Sequence, residues 1–135
     1  MSRVLLVQLP IPPVGVEPIR GNVPLAAGYV KMFADAQPSV AGRVQIDLFP
    51  PALTGAASEA ALVERLLACE PDIIGFTCYL WNVERTLWLL ERLKRRRRDL
   101  ITVVGGPEIT ADNDWVLHHP AVDVEAGKAR VAQER

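Results

Sequence analysis

Short apolar runs rich in β-branched residues alternate along this chain with longer stretches whose apolar positions recur every three or four residues. Residues 4–9 (VLLVQL) are apolar at five of six positions, the pattern of a strand covered on both faces. In residues 44–49 (VQIDLF), Gln45 and Asp47 alternate with Val44, Ile46 and Leu48, which predicts a strand nearer the sheet edge. Residues 72–79 (DIIGFTCY) and 101–104 (ITVV) again have central character, and residues 122–124 form a short fifth candidate. Between them, Leu25, Gly28, Tyr29, Met32 and Phe33 trace one helical stripe, with Asn22 as its cap and Pro24 in its first turn. A second stripe, Leu62, Val63, Leu66 and Leu67, follows Ser58 and is stopped by Pro71. A third, Val83, Leu87, Leu90 and Leu93, follows Asn82, and a weaker helix is expected over residues 110–118, closed by Pro120.

This β-α-β-α-β-α-β-α-β order predicts an α/β fold: a Rossmann-like (flavodoxin-like), doubly wound, five-stranded parallel sheet with helices on both faces. Its expected strand order is 2-1-3-4-5, and ligands of such sheets bind beyond the carboxyl ends of the strands, beside strand 1. The loops after strands 1, 3 and 4 are therefore where chemistry is to be sought.

The chain has 135 residues, half of them hydrophobic and 23% charged, with 15 Lys and Arg against 16 Asp and Glu. That length fits one domain, and the apolar share excludes disorder. Two cysteines, Cys69 and Cys78, are too few for a disulfide scaffold, a tetrahedral zinc site or an iron–sulfur cluster. The expectation is a cytoplasmic module with no secretion signal and no membrane span. Residues 94–98 (KRRRR) are the strongest charge feature; without them 10 basic residues face 16 acidic ones. With a sequence pI of about 6.1, the run reads as the solvated carboxyl end of a helix, with no nucleic-acid partner.

After strand 1, residues 10–22 form a long loop with four prolines, Pro10 among them, and with Glu17 and Arg20 as its charges. After strand 3 come Thr77, Cys78, Tyr79, Leu80, Trp81 and Asn82, where small polar groups can bond a ligand. Helix capping is the main job expected of Asn82, and core packing is the commoner fate of aromatics such as Tyr79 and Trp81. After strand 4 come Gly105, Gly106, Pro107 and Glu108, and paired glycines let a backbone approach a neighbour closely. Neither GxGxxG nor GxxxxGK[ST] occurs, and no Asp ends strand 3, so dinucleotide, P-loop and phospho-accepting receiver chemistries lack their residues. His118 and His119 sit at a helix end before Pro120, which suits capping better than metal ligation or service as a base for Cys78.

Residues 4–10, 21–27 (GNVPLAA), 71–82 (PDIIGFTCYLWN) and 103–108 (VVGGPE) together resemble the amino-terminal cobalamin-binding domain of B12-dependent radical SAM proteins. The resemblance covers nearly the whole chain and is most specific in the last two segments. It implies a cobalamin-binding module over residues 1–125 with a polar tail over 126–135. Implied cofactor contacts are Pro10, Arg20, Thr77, Cys78, Tyr79, Trp81, Asn82, Gly105, Gly106, Pro107 and Glu108. Thr77 and Tyr79 would line the slot for the nucleotide tail, Gly105 and Gly106 would let backbone approach it, and Pro107 and Glu108 would complete its wall. The DxHxxG motif, whose His ligates cobalt from below, is missing, so no lower-axial His is expected. Arg20, Gln8 or an apolar loop residue would then lie near that face. The CxxxCxxC motif of a [4Fe–4S] cluster is missing too, so this chain is expected to carry no cluster and no catalytic site of its own. Its partner would be a radical SAM domain or protein performing methyl transfer. Two alternatives remain: a ligand-free interaction or regulatory domain of the same fold, and an enzyme using Cys78 as nucleophile.

Overall fold

A computed structural model describes residues 1–11, 23–55 and 58–126. Five parallel strands pair in the order β2-β1-β3-β4-β5. They are β1 (Ser2–Val7), β2 (Val44–Leu48), β3 (Ile73–Thr77), β4 (Ile101–Gly105) and β5 (Val124–Ala126). The connecting helices are α1 (Leu25–Asp35), a single turn α2 (Ala52–Gly55), α3 (Glu59–Ala68), α4 (Val83–Arg96) and a one-turn α5 (Asp114–Leu117). The predicted order of elements and of strands is the observed one. The expected helix over residues 110–118 shrinks to α5, and α2 has no counterpart among the predicted stripes.

The sheet alternates strictly. Leu5, Val7, Ile74, Phe76 and Val104 point to one face, where they form a single buried cluster with Leu62 and Leu66 of α3 and Leu87, Leu90 and Leu93 of α4. Truncating one such fully buried leucine to alanine costs about 2–5 kcal/mol. Ser58 caps α3, its hydroxyl accepting from the Ala61 N–H at 3.2 Å. The opposite face carries Val4, Leu6, Gly75 and Val103, with Leu6 in register with Gly75 and Gly75 with Val103. α1 packs there over β2, and its only fully buried residue is Ala27. The predicted stripe does not face the sheet: Leu25, Tyr29, Met32 and Phe33 are 62–69% exposed. Asn22, its expected cap, lies outside the described residues, and Pro24 occupies the cap position.

The basic run does more than meet solvent. Lys94 donates to the Leu100 carbonyl at 2.7 Å and pairs with Asp123, and Arg96 pairs with Glu64. Arg97 donates to the Pro71 carbonyl at 2.7 Å and pairs with Asp99 at 2.8 Å. The run thus ties the carboxyl end of α4 to α3 and to the amino ends of β3 and β4, while Arg95 and Arg98 stay exposed. No described helix is long and apolar enough to cross a membrane.

Candidate functional site

The parallel register carries the loops after β1, β3 and β4 to one edge, and two of them are stitched together there. The Cys78 N–H donates to the Gly105 carbonyl at 2.6 Å, and the Glu108 N–H donates back to the Cys78 carbonyl at 3.1 Å. Thr77 stands beside Gly105, which in turn is level with Ala126 of β5. Asn82 then clasps the third loop: its amide nitrogen donates to the Leu9 and Thr77 carbonyls, both at 3.1 Å, and its Oδ1 accepts from the Tyr79 N–H at 2.7 Å. It begins α4 without the side-chain cap bond expected of it. A strand-end brace has replaced a helix cap.

The glycines are held by the protein's own backbone. Gly106 has φ +103, and a Cβ there would sit 2.7 Å from the Cys78 carbonyl oxygen and 2.9 Å from its nitrogen. At Gly105 a Cβ would meet the Ala126 carbonyl at 3.0 Å. The close approach that Gly-Gly permits is therefore between the loops after β3 and β4, and between β4 and β5.

Cys78 and Asn82, both expected as cofactor contacts, turn inward. Both are buried (0% and 1% exposed), so neither the thiol nor the amide is open to solvent at the edge. Burial pushes the Cys78 thiol up to about 12; the Thr86 hydroxyl pulls the other way and the Glu108 carboxylate adds to the rise. Such a thiol is not a nucleophile at neutral pH. Tyr79 and Trp81 stack on each other, centroids 4.5 Å apart and planes 6° from parallel, with Trp81 44% exposed rather than in the core. Asn113 donates to the Glu108 carbonyl at 2.5 Å and to its carboxylate at 3.2 Å, which fixes the loop after β4. Pro107 is exposed and Pro10 half-buried at the same edge. Arg20 lies outside the described residues.

Gln8 carries the most telling atom. It follows the Val7–Phe76 register pair at the carboxyl end of β1, on the face that Leu6 shares. Its Oε1 is buried and finds no hydrogen-bond partner among the described residues. A buried amide oxygen left unpaired costs about 1–3 kcal/mol, so it marks a place where a donor from elsewhere fits. The sequence hinted at this through one polar residue in an otherwise apolar strand. Both histidines lie away from this edge. His118 Nδ1 is 3.0 Å from the Asp114 carbonyl, and His119 pairs with Glu91 of α4 at 3.2 Å. No cluster of three His, Cys, Asp or Glu able to hold a metal occurs among the described residues.

Comparison with known proteins identifies the family. Residues 23–135 match the model of the B12 binding domain. The chain belongs to that family. It is a cobalamin-binding module, as its strand 3 and Gly-Gly-Pro-Glu segments suggested. Among curated proteins, it is 30% identical over 112 residues to the cobalamin-dependent radical SAM methyltransferase TokK of Streptomyces tokunonensis, covering 82% of this chain and 16% of that protein. It is 29% identical over 103 residues to the 2-(S-pantetheinyl)-carbapenam-3-carboxylate methyltransferase of Streptantibioticus cattleyicolor, covering 76% of this chain and 14% of that one. This module thus spans a small fraction of the relatives' length. Among solved structures, a putative pilus assembly-related protein of Burkholderia pseudomallei superposes with a TM-score of 0.60 at 13% identity, over 95% of this chain and 78% of the other. The response regulator TrrA of Thermotoga maritima gives 0.55 at 12%, over 99% and 92%. At such identities the likeness is one of fold, and the module lacks the Asp after β3 that a receiver would need.

Proposed function

We propose that the module seats a corrinoid at the edge formed by Gln8, Thr77 and the Tyr79–Trp81 pair, backed by Gly105, Gly106, Pro107 and Glu108, in the service of a radical SAM methyltransferase. The unpartnered Gln8 Oε1 carries this reading. A corrinoid is rimmed with amide groups, so its N–H donors match an acceptor that the protein buries and leaves free. The family match and the methyltransferase relatives support the choice of cofactor and of reaction. Bound, the cofactor supplies a methyl-carrying cobalt; the chain's part is to hold and orient it and to keep water from one face. With both imidazoles tied up near α5, a lower face without a protein His is part of the proposal. So are a cytoplasmic setting and a module over residues 1–125 followed by a polar tail over 126–135.

The test is a titration of aquocobalamin into the purified chain, followed by visible absorption and gel filtration. A band shift with co-elution is expected. Gln8→Leu should weaken binding about 5- to 10-fold, one hydrogen bond's worth, while leaving the melting temperature unchanged or higher, because no protein partner is lost. A chain that takes up no corrinoid overturns the reading. The second reading, a domain that keeps the fold without the ligand, draws on the Tyr79–Trp81 stack, in which two aromatic faces satisfy each other. It predicts that the titration leaves the spectrum unchanged.

A further inference from the structure

The helix α1 is inside out. Against the sheet it places the small Ala27, and away from it the large Leu25, Tyr29, Val30, Met32 and Phe33, each 54–69% exposed. Its two charges, Lys31 and Asp35, pair with each other at 3.0 Å and leave the helix neutral. A helix that is apolar all round belongs in an interior, not on a surface. Among the described residues, the sheet beside it is likewise left partly uncovered. α3 and α4 cover the other face, whereas on the face of α1 Ile101 and Val124, toward β4 and β5, are 43% and 48% exposed. Parallel sheets are normally covered on both sides. The opposite flank, by contrast, is dressed for water, with the Arg85–Glu59, Arg96–Glu64, Lys94–Asp123 and Arg97–Asp99 pairs.

Resting on the reading of the chain as a cobalamin module for a radical SAM methyltransferase, we propose that the outward face of α1 is the seat on which the enzyme's catalytic polypeptide docks. Three observations support this occupant, and the first favours it over a second copy of the chain. The methyltransferase relatives are several times longer than the matched region, which is 14–16% of each, so most of their polypeptide lies beyond the module. The face is neutral and apolar over more than one helical turn, as the core of a permanent interface is. And α1 begins, after the loop that follows β1, at the same edge as Thr77 and Gly105, so a body seated on it overhangs the edge where the cofactor is proposed.

Met32 reports on this face, because Met1 is the chain's one other methionine and is freely exposed. The test sets the whole 135-residue chain in place of the matched segment of the S. tokunonensis methyltransferase and compares it with the chain alone. Dilute hydrogen peroxide converts each thioether to its sulfoxide, and peptide mass spectrometry reads the rates. In the lone chain Met32 should oxidise about as fast as Met1; in the fusion it should slow by about tenfold or more, as burial demands. Tyr29→Lys with Phe33→Glu should restore its rate in the fusion. Equal Met32 rates in both settings overturn the proposal, and so does a lone chain that protects Met32 by running as a dimer. Cobalamin uptake, read from visible absorption, is separate: uptake with Met32 still reactive sinks the docking face alone, whereas protection without uptake sinks the cofactor reading alone. A variant without a covalent junction covers a fusion that fails to fold. The full chain carrying a benzophenone at Tyr29 is mixed with the methyltransferase lacking its matched segment; a crosslink supports the face and its absence overturns it.

Discussion

The side-chain amide of Asn82 donates to the backbone carbonyl of Leu9, 73 residues earlier, at 3.1 Å. With its bonds to Thr77 and Tyr79 it fastens the ends of two adjacent strands and the turn between β3 and α4. Both partners of the long bond are buried, so water does not replace it when it is lost.

Asn82→Ala should therefore lower stability by about 2–4 kcal/mol, since it strands two carbonyls and one N–H. Asn82→Asp should be worse although it is isosteric, because it keeps the acceptor for Tyr79 and sets a carboxylate against two carbonyl oxygens. Urea unfolding midpoints separate the two, and an Asp variant more stable than the Ala variant would refute the clasp.

The two glycines Gly28 and Gly106 should respond in opposite ways to alanine. A Cβ at Gly106 runs into the Cys78 backbone and demands a positive φ, so Gly106→Ala should cost about 1–3 kcal/mol and loosen the edge together with any corrinoid it holds. Gly28 lies within α1 with nothing within 4 Å of a built Cβ. There alanine should add about 0.5–1 kcal/mol through helix propensity alone. Thermal melts of the two variants give the comparison.

Strand order and the three longer helices were legible because period-2 and period-3.6 patterns report which positions are buried, and the right-handed crossover rule does the rest. The direction in which α1 faces was not, since an apolar stripe shows amphipathicity and not which side meets this sheet. Its signal was present in another form: Lys31 and Asp35 are the only charges in eleven residues, too few for a solvated side. The roles of Asn82 and of the glycines escaped for a different reason. Their partners, Leu9, Cys78 and Ala126, come from other strands or the loops that follow them, and side-chain types at one loop do not say which distant backbone they will meet. Gln8 fell between, visible as a polar residue in an apolar strand but with nothing local to mark its oxygen as unpaired.

Cysteine reactivity tests the burial of Cys78. Its ionisation is pushed up to about 12, chiefly by burial, so at neutral pH it should resist iodoacetamide while half-buried Cys69 is labelled. Full labelling of both should require urea. Because the folded thiol holds its proton more tightly than an unfolded one, of pKa about 8.5, this group lowers stability as pH rises from about 9 toward 12. Cys78→Ala should reduce that alkaline loss, at the cost of a small cavity. Rapid stoichiometric labelling of Cys78 in the folded chain would contradict its placement and reopen the nucleophile reading.

Acid stability should depend on Asp123. Partial burial pushes its carboxyl up, but the Lys94 ammonium and the bonds from Thr102 outweigh this and hold it below the usual carboxylate range. One oxygen accepts from the Thr102 N–H at 2.9 Å and from its hydroxyl at 3.1 Å, which fastens the approach to β5 onto the start of β4. A carboxylate whose folded pKa is depressed adds stability above its unfolded value, about 3.9, and loses it as pH falls through the folded value. Asp123→Asn should thus be less stable than the parent at pH 7 and should show a shallower decline below about pH 4. Lys94→Met should remove part of the same acid dependence while keeping the Thr102 bonds. Urea midpoints measured from pH 7 down to pH 3 give both slopes. Parallel curves for the parent and Asp123→Asn would mean that this carboxylate is not held ionised by its neighbours, and that β5 is secured by backbone pairing alone.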